Sequence, residues 1–125
     1  MKVTRLYSDS DGESRFEDLD LSLEDRGDIG RLSERYQAEA VIFRETGGDY
    51  DYDFHNAPER QFIITLDGMI EIETSLGDVR RFAAGDILFV EDTQGKGHRT
   101  RSVDGRLRRS VFIPVGSVPL AHGRE

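Results

Sequence analysis

Glycine-containing turns punctuate the middle of this chain at short intervals. They read Gly47-Gly48-Asp49, Asp67-Gly68, Leu76-Gly77-Asp78, Ala84-Gly85-Asp86, Gly95-Lys96-Gly97 and Asp104-Gly105. The segments between them are too short for helices that stand on their own. Several carry the branched and aromatic residues that suit a pleated sheet. Residues 61–66 and 87–90 are apolar runs, and 69–74 alternates Ile70 and Ile72 with Glu71 and Glu73. Asp67-Gly68 is the dipeptide of a tight hairpin. Residues 79–82, 98–103 and 107–115 supply further strands. Short strands between regularly spaced turns specify an all-β sandwich or barrel.

The first third is less regular. Residues 2–7 read as an edge strand, and Asp11-Gly12 marks a turn. Phe16, Leu19, Leu21 and Leu23 sit in an acidic stretch with a period near two, which favours extended chain. Residues 27–30 break it, 32–36 suit a short helical turn, and 38–46 reads as a strand. The expected organisation is an N-terminal extension covering the barrel (1–37), the barrel itself (38–116) and a C-terminal tail (117–125). His122 falls in that polar tail.

A length of 125 residues suits one domain with a real core. The net charge of -8 argues against nucleic acid and against an anionic membrane surface. The chain has no cysteine, so thiolate chemistry and disulfides are excluded. Its first residues contain neither a signal-like nor a membrane-spanning apolar run, and a cytoplasmic protein is the expectation.

Residues with chemistry gather around two strands. Tyr50, Tyr52 and Phe54 alternate with Asp51, Asp53 and His55, which puts His55 on the face of the two aspartates. Pro58 places a turn after it. If Gln61 faces the interior, Ile63 and Thr65 do too, making these three the expected substrate-binding residues. Phe62, Ile64 and Leu66 then face the other way and need a cover. That cover is the N-terminal segment, a second subunit or both, and a homodimer is expected. Glu91 and Asp92 follow an apolar strand directly and stand a few residues before His98.

The run from His55 to Gly68, followed by Gly85-Asp86 and His98, resembles the two motifs of the cupin superfamily over roughly residues 40–115. His55 stands where the first motif has its leading histidine, Gln61 where it has a glutamate, and Gly68 where it has its glycine. Ala57 replaces the second histidine, and the loop before His98 lacks the usual proline. The resemblance implies a small double-stranded β-helix, the jelly-roll barrel, with its site inside. It also implies a metal held by His55, Gln61 and His98: a divalent transition ion such as Fe, Ni, Zn, Cu or Mn. The amide of Gln61 would bind such an ion more weakly than a carboxylate.

Three functions follow. The first is a metal-dependent enzyme (oxygenase, isomerase or lyase) on a small organic molecule, with His98 or Glu91 handling protons. The second is a metal-free acid/base isomerase or lyase, in which Asp53 polarises His55 or Asp92 polarises His98. The third is a barrel that binds a small molecule without chemistry.

Overall fold

The strands of this chain are amphipathic, and two sheets facing each other bury their apolar sides. The computed structural model describes residues 1–116; the tail 117–125, with His122, lies outside the described residues. The strands are β1 (Lys2–Ser8), β2 (Ser14–Asp20), β3 (Glu24–Asp25), β4 (Arg31–Leu32), β5 (Ile42–Thr46), β6 (Asp51–His55), β7 (Gln61–Thr65), β8 (Ile70–Thr74), β9 (Val79–Phe82), β10 (Ile87–Val90), β11 (His98–Ser102) and β12 (Arg108–Pro114). A six-stranded sheet runs β2-β1-β10-β7-β12-β5, a four-stranded sheet runs β6-β11-β8-β9, and β3 and β4 form a small ribbon. This is a jelly-roll β-barrel.

The inner core lies between the sheets. Leu6, Leu88 and Val90 of the larger sheet meet Ile70, Ile72 and Phe82 of the smaller one, with Phe16 and Ile63 packed alongside. Alternation along β8 is the clearest case. Ile70 and Ile72 are in the core, while Glu71 pairs on the other face with Arg81 and Arg101.

The N-terminal third departs from expectation. Residues 2–20 belong to the barrel sheet itself. β1 is an interior strand, antiparallel to β2 on one side and parallel to β10 on the other. The boundary expected at residue 37 therefore does not divide cover from barrel. Both faces of β1 are used, Leu6 inward and Val3 outward, and such a strand cannot sit at an open edge. Residues 32–36 also form no helical turn; among the described residues the single short 3-10 turn is Gly27–Ile29. Extended chain over 14–20 agrees with the apolar spacing there.

Covering does occur beyond β2. Leu21 joins Val3, Leu19, Phe89 and Val115 in a second cluster on the outer face of the large sheet, with Phe62 packed against it. Tyr36 brings its ring to 5.9 Å from Phe62, which is itself 4.8 Å from Phe89. The outward face of 61–66 is thus partly covered by the protein's own early residues. Leu66 remains exposed. Among the described residues, no helix is long and apolar enough to cross a membrane.

Phe89 is fully buried at the centre of this outer cluster. Phe89→Ala is expected to cost about 3–5 kcal/mol, measured as a drop in the urea midpoint. A loss below about 1 kcal/mol would mean that the early residues do not pack there as described.

Candidate functional site

Two histidines far apart in sequence become neighbours because β6 ends where β11 begins. His55 and His98 are directly opposed across that antiparallel pair, and their ring centroids are 4.6 Å apart. The approach depends on Gly97. Its φ is +72°, and a Cβ placed on it would lie 2.2 Å from the His55 carbonyl oxygen. Only a residue without a side chain lets the two strands close at this point. Ser14 Oγ donates to the Gly97 carbonyl at 2.7 Å and fixes the same loop from the other side.

The pairing is not regular. His98 faces His55, but Thr100 faces Tyr52, so β6 takes three steps where β11 takes two. Such a bulge breaks the alternation of a strand. The Tyr52 ring consequently lies 4.0 Å from the His55 ring, although strict alternation puts them on opposite faces. Asp51 is drawn away to a two-point contact with Arg99, at 3.1 and 3.0 Å. Asp53 contributes only its backbone: His55 Nδ1–H donates to the Asp53 carbonyl at 2.9 Å. A carbonyl can only accept, so Nδ1 carries the proton and Nε2 keeps a lone pair.

His98 has a stronger partner. It is 5% exposed, Asp92 is fully buried, and Asp92 Oδ2 lies 2.5 Å from His98 Nδ1. An ionised carboxylate is an acceptor, so here too the donor is Nδ1–H and Nε2 is free. Asp92 is held from behind. The Ala57 N–H and the Asn56 side-chain amide donate to its carbonyl at 3.1 and 3.3 Å. Asn56 also donates to the Gly95 carbonyl at 3.1 Å.

Both histidines line a cavity of about 250 Å³ between the sheets. Gln61 and Ile63 line it as well, so His55, Gln61, His98 and Ile63 are brought together. Two expected site residues are not. Thr65 is buried beyond the cavity wall, opposite Ser110. Glu91 is not a lining residue: its carboxylate pairs with Arg5 and, at 3.1 Å, with Arg60. The reason is parity. Val90 and Asp92 point inward, and the residue between them points out. Of the two carboxylates before His98, Asp92 is therefore the one in contact with it.

The remaining polar lining includes Tyr50, Thr100, Glu59, Arg44 and Arg108, none of them an expected site residue. Arg44 and Arg108 lie on the inward face of β5 and β12, each within 5.6 Å of the Tyr50 ring centre. Alternation was no guide to them, because a cation is ordinarily read as the outward residue.

The fit to a metal is poor. Among the described residues, no three His, Cys, Asp or Glu side chains are grouped to hold an ion. The set His55, Gln61 and His98 offers two imidazoles and a neutral amide, and two guanidinium groups share their cavity. None of these three is a charged ligand, and a dication held by them would share the cavity with two like charges and the single exposed carboxylate of Glu59.

No protein-family model and no curated protein matches the sequence. Solved structures do resemble the fold. The conserved protein SPY1581 of Streptococcus pyogenes, of unknown function, aligns at a TM-score of 0.50 and 19% identity, covering 72% of each chain. A protein assigned as ethanolamine utilization protein Q of Salmonella typhimurium LT2 aligns at a TM-score of 0.50 and 11% identity, covering 94% of this chain and 98% of its own. At such identities the likeness carries the fold alone, a jelly-roll β-barrel.

Two outcomes are expected from this geometry. Gly97→Ala forces an alanine to positive φ and into the His55 carbonyl, and should lower stability by about 1–3 kcal/mol. An unchanged melting temperature would contradict the close approach. His55 is held below its ordinary value by burial, ahead of all other influences. Its folded value therefore lies below the unfolded value of about 6.5. Its contribution to stability is full above that pH and is lost as pH falls through the folded value. NMR titration of the His55 ring should give a midpoint under about 6.5; a higher midpoint would contradict burial as the dominant cause.

Proposed function

We propose that this chain is a metal-free acid/base enzyme of isomerase or lyase type, acting on a small organic molecule in the barrel cavity. The carrying observation is the buried Asp92–His98 pair opening onto that cavity. Asp92 holds His98 in the tautomer whose Nε2 lone pair is available, and its charge stabilises the imidazolium that forms when that nitrogen takes a proton.

The step that fits is removal of a proton from carbon next to a carbonyl. His98 Nε2 takes the proton, the C–H electron pair becomes a carbon–carbon double bond, and the carbonyl oxygen becomes an enolate. The Gln61 amide and the Tyr50 hydroxyl, both lining residues, are the donors suited to that oxygen. His98 then returns the proton at a neighbouring atom, or a β-substituent departs with the electron pair. His55, kept neutral by burial, offers an acceptor for a substrate hydroxyl.

One observation favours a metal: each histidine is held through Nδ1, as metal ligands commonly are. The donor set speaks against it. The same reading keeps the expected homodimer. Phe43, Val111 and Ile64 stand side by side on the outer face across β5, β12 and β7, and Phe43 is 79% exposed.

Protein purified without chelator or metal column should contain no stoichiometric transition metal. Asp92→Asn should then reduce turnover, or proton exchange of a carbonyl substrate with deuterium oxide, by about 10²–10⁴-fold with little change in binding. Unchanged turnover in Asp92→Asn would remove the acid/base role. Stoichiometric metal that is lost in His98→Ala and held more tightly in Gln61→Glu would replace it with the metal-dependent alternative. Light scattering should report a dimer; a monomer would leave the Phe43 face without the proposed cover.

A further inference from the structure

We infer that the β5–β12 end of the cavity is an anion subsite, and that the molecule the site takes is a small carboxylic acid whose carboxylate pairs with Arg108 and Arg44. This rests on the proposed function for what happens at the histidine end, but the subsite is argued from different residues.

The arginines of this acidic chain mostly have carboxylate partners. Arg5, Arg60, Arg81, Arg99, Arg101 and Arg109 each form an ion pair with an aspartate or glutamate. The two that line the cavity do not. Among the described residues, neither Arg44 nor Arg108 has a salt bridge. Arg108 is also only 4% exposed, and its buried Nε has no hydrogen-bond partner. A buried cation without a counter-charge is unfavourable, and an anion arriving from solution removes that cost. Burial, and after it the charge of Arg44, hold Arg108 below its ordinary range, which agrees with two cations brought close together.

Register explains the grouping. Arg108 pairs with Thr46, and Ser110 pairs with Arg44 on one side and Thr65 on the other. These residues share the inward face of three adjacent strands. The Oγ atoms of Thr46, Thr65 and Ser110 are buried without partners, like Arg108 Nε. None of the three hydroxyls lines the cavity, so the donors that face it here are the two guanidinium groups. Arg44 lies 5.5 Å and Arg108 5.6 Å from the Tyr50 ring centre, with Phe112 against Arg44. Aromatic faces hold guanidinium groups in place without neutralising them. Gly68, at φ +74°, packs its backbone on the Arg108 stem: a Cβ there would lie 3.0 Å from Arg108 Cβ. The hairpin turn thus fixes the arginine from its non-cavity end.

The cavity, about 250 Å³ in volume, suits a small organic acid. Ile63, Ile70, Ile72 and Val90 line the same space and suit a short carbon chain. Glu59 is the one carboxylate among the lining residues; it is exposed and forms no ion pair with either arginine. The planar guanidinium fork matches a carboxylate in two points.

The test uses full-length protein with propionate, propionamide and inorganic phosphate as probes, followed by melting temperature and NMR. Propionate should stabilise saturably, and its equal-sized neutral amide should not. Arg108→Gln and Arg44→Gln should each weaken propionate binding by at least about tenfold. Arg108→Gln should also melt no lower than wild type without ligand, because it removes a buried unpaired charge. Equal responses to propionate and propionamide would overturn the subsite, as would unchanged propionate binding in both arginine variants. Phosphate binding more tightly than propionate through the same arginines would overturn the carboxylate assignment. Asp92→Asn should bind propionate as wild type does. Failure of the acid/base role therefore shows in turnover alone, and failure of the subsite shows in propionate binding alone.

Discussion

The contact between Asp92 and His98 is the constraint around which this end of the barrel is arranged. Both groups are buried, and one Asp92 oxygen, Oδ1, has no hydrogen-bond partner among the described residues. Such a carboxylate is tolerated only where its surroundings are fixed. The fixing comes from three places. The β6–β7 loop clamps the Asp92 carbonyl through Ala57 and Asn56, Gly97 lets β11 close on His55, and Ser14 of β2 holds Gly97. Each of those three segments belongs to a different part of the chain. Forming the pair therefore requires the N-terminal strands, the β6–β7 turn and the β10–β11 loop together.

The cavity that results carries both kinds of polar group beside an apolar lining: two imidazoles with free Nε2 atoms, and two guanidinium groups without carboxylate partners. A molecule held there would be gripped by charge and meet a base, which is how binding energy remote from the reacting atoms positions a substrate. The overall charge of -8 would repel such an anion; local pairing with buried cations, where screening is weak, has to outweigh that repulsion.

Much of the barrel was legible because its strands alternate and its turns contain glycine. Residues 69–74 and 87–90 read correctly as sheet; both strands are largely buried, Glu71 of the first beneath its arginine partners. What was hidden follows from three physical causes. β1 looked like an edge because sequence gives no sign of a parallel partner as distant as β10. The bulge in β6 shifts Tyr52 beside His55, and no residue type announces a bulge. Arg44 and Arg108 looked like outward residues because alternation assigns cations to water. Asp92 and Glu91 were both visible as carboxylates before His98, and choosing between them required the parity of a loop that no strand pattern defines.

The central claim is that Asp92 fixes the His98 tautomer and leaves its Nε2 as a base facing the cavity. Nitrogen-15 NMR of the imidazole side chains reads this directly. The claim predicts that neutral His98 carries its proton on Nδ1 in wild type, and that this preference weakens in Asp92→Asn. A His98 protonated on Nε2 in wild type would contradict it, because no lone pair would then face the substrate.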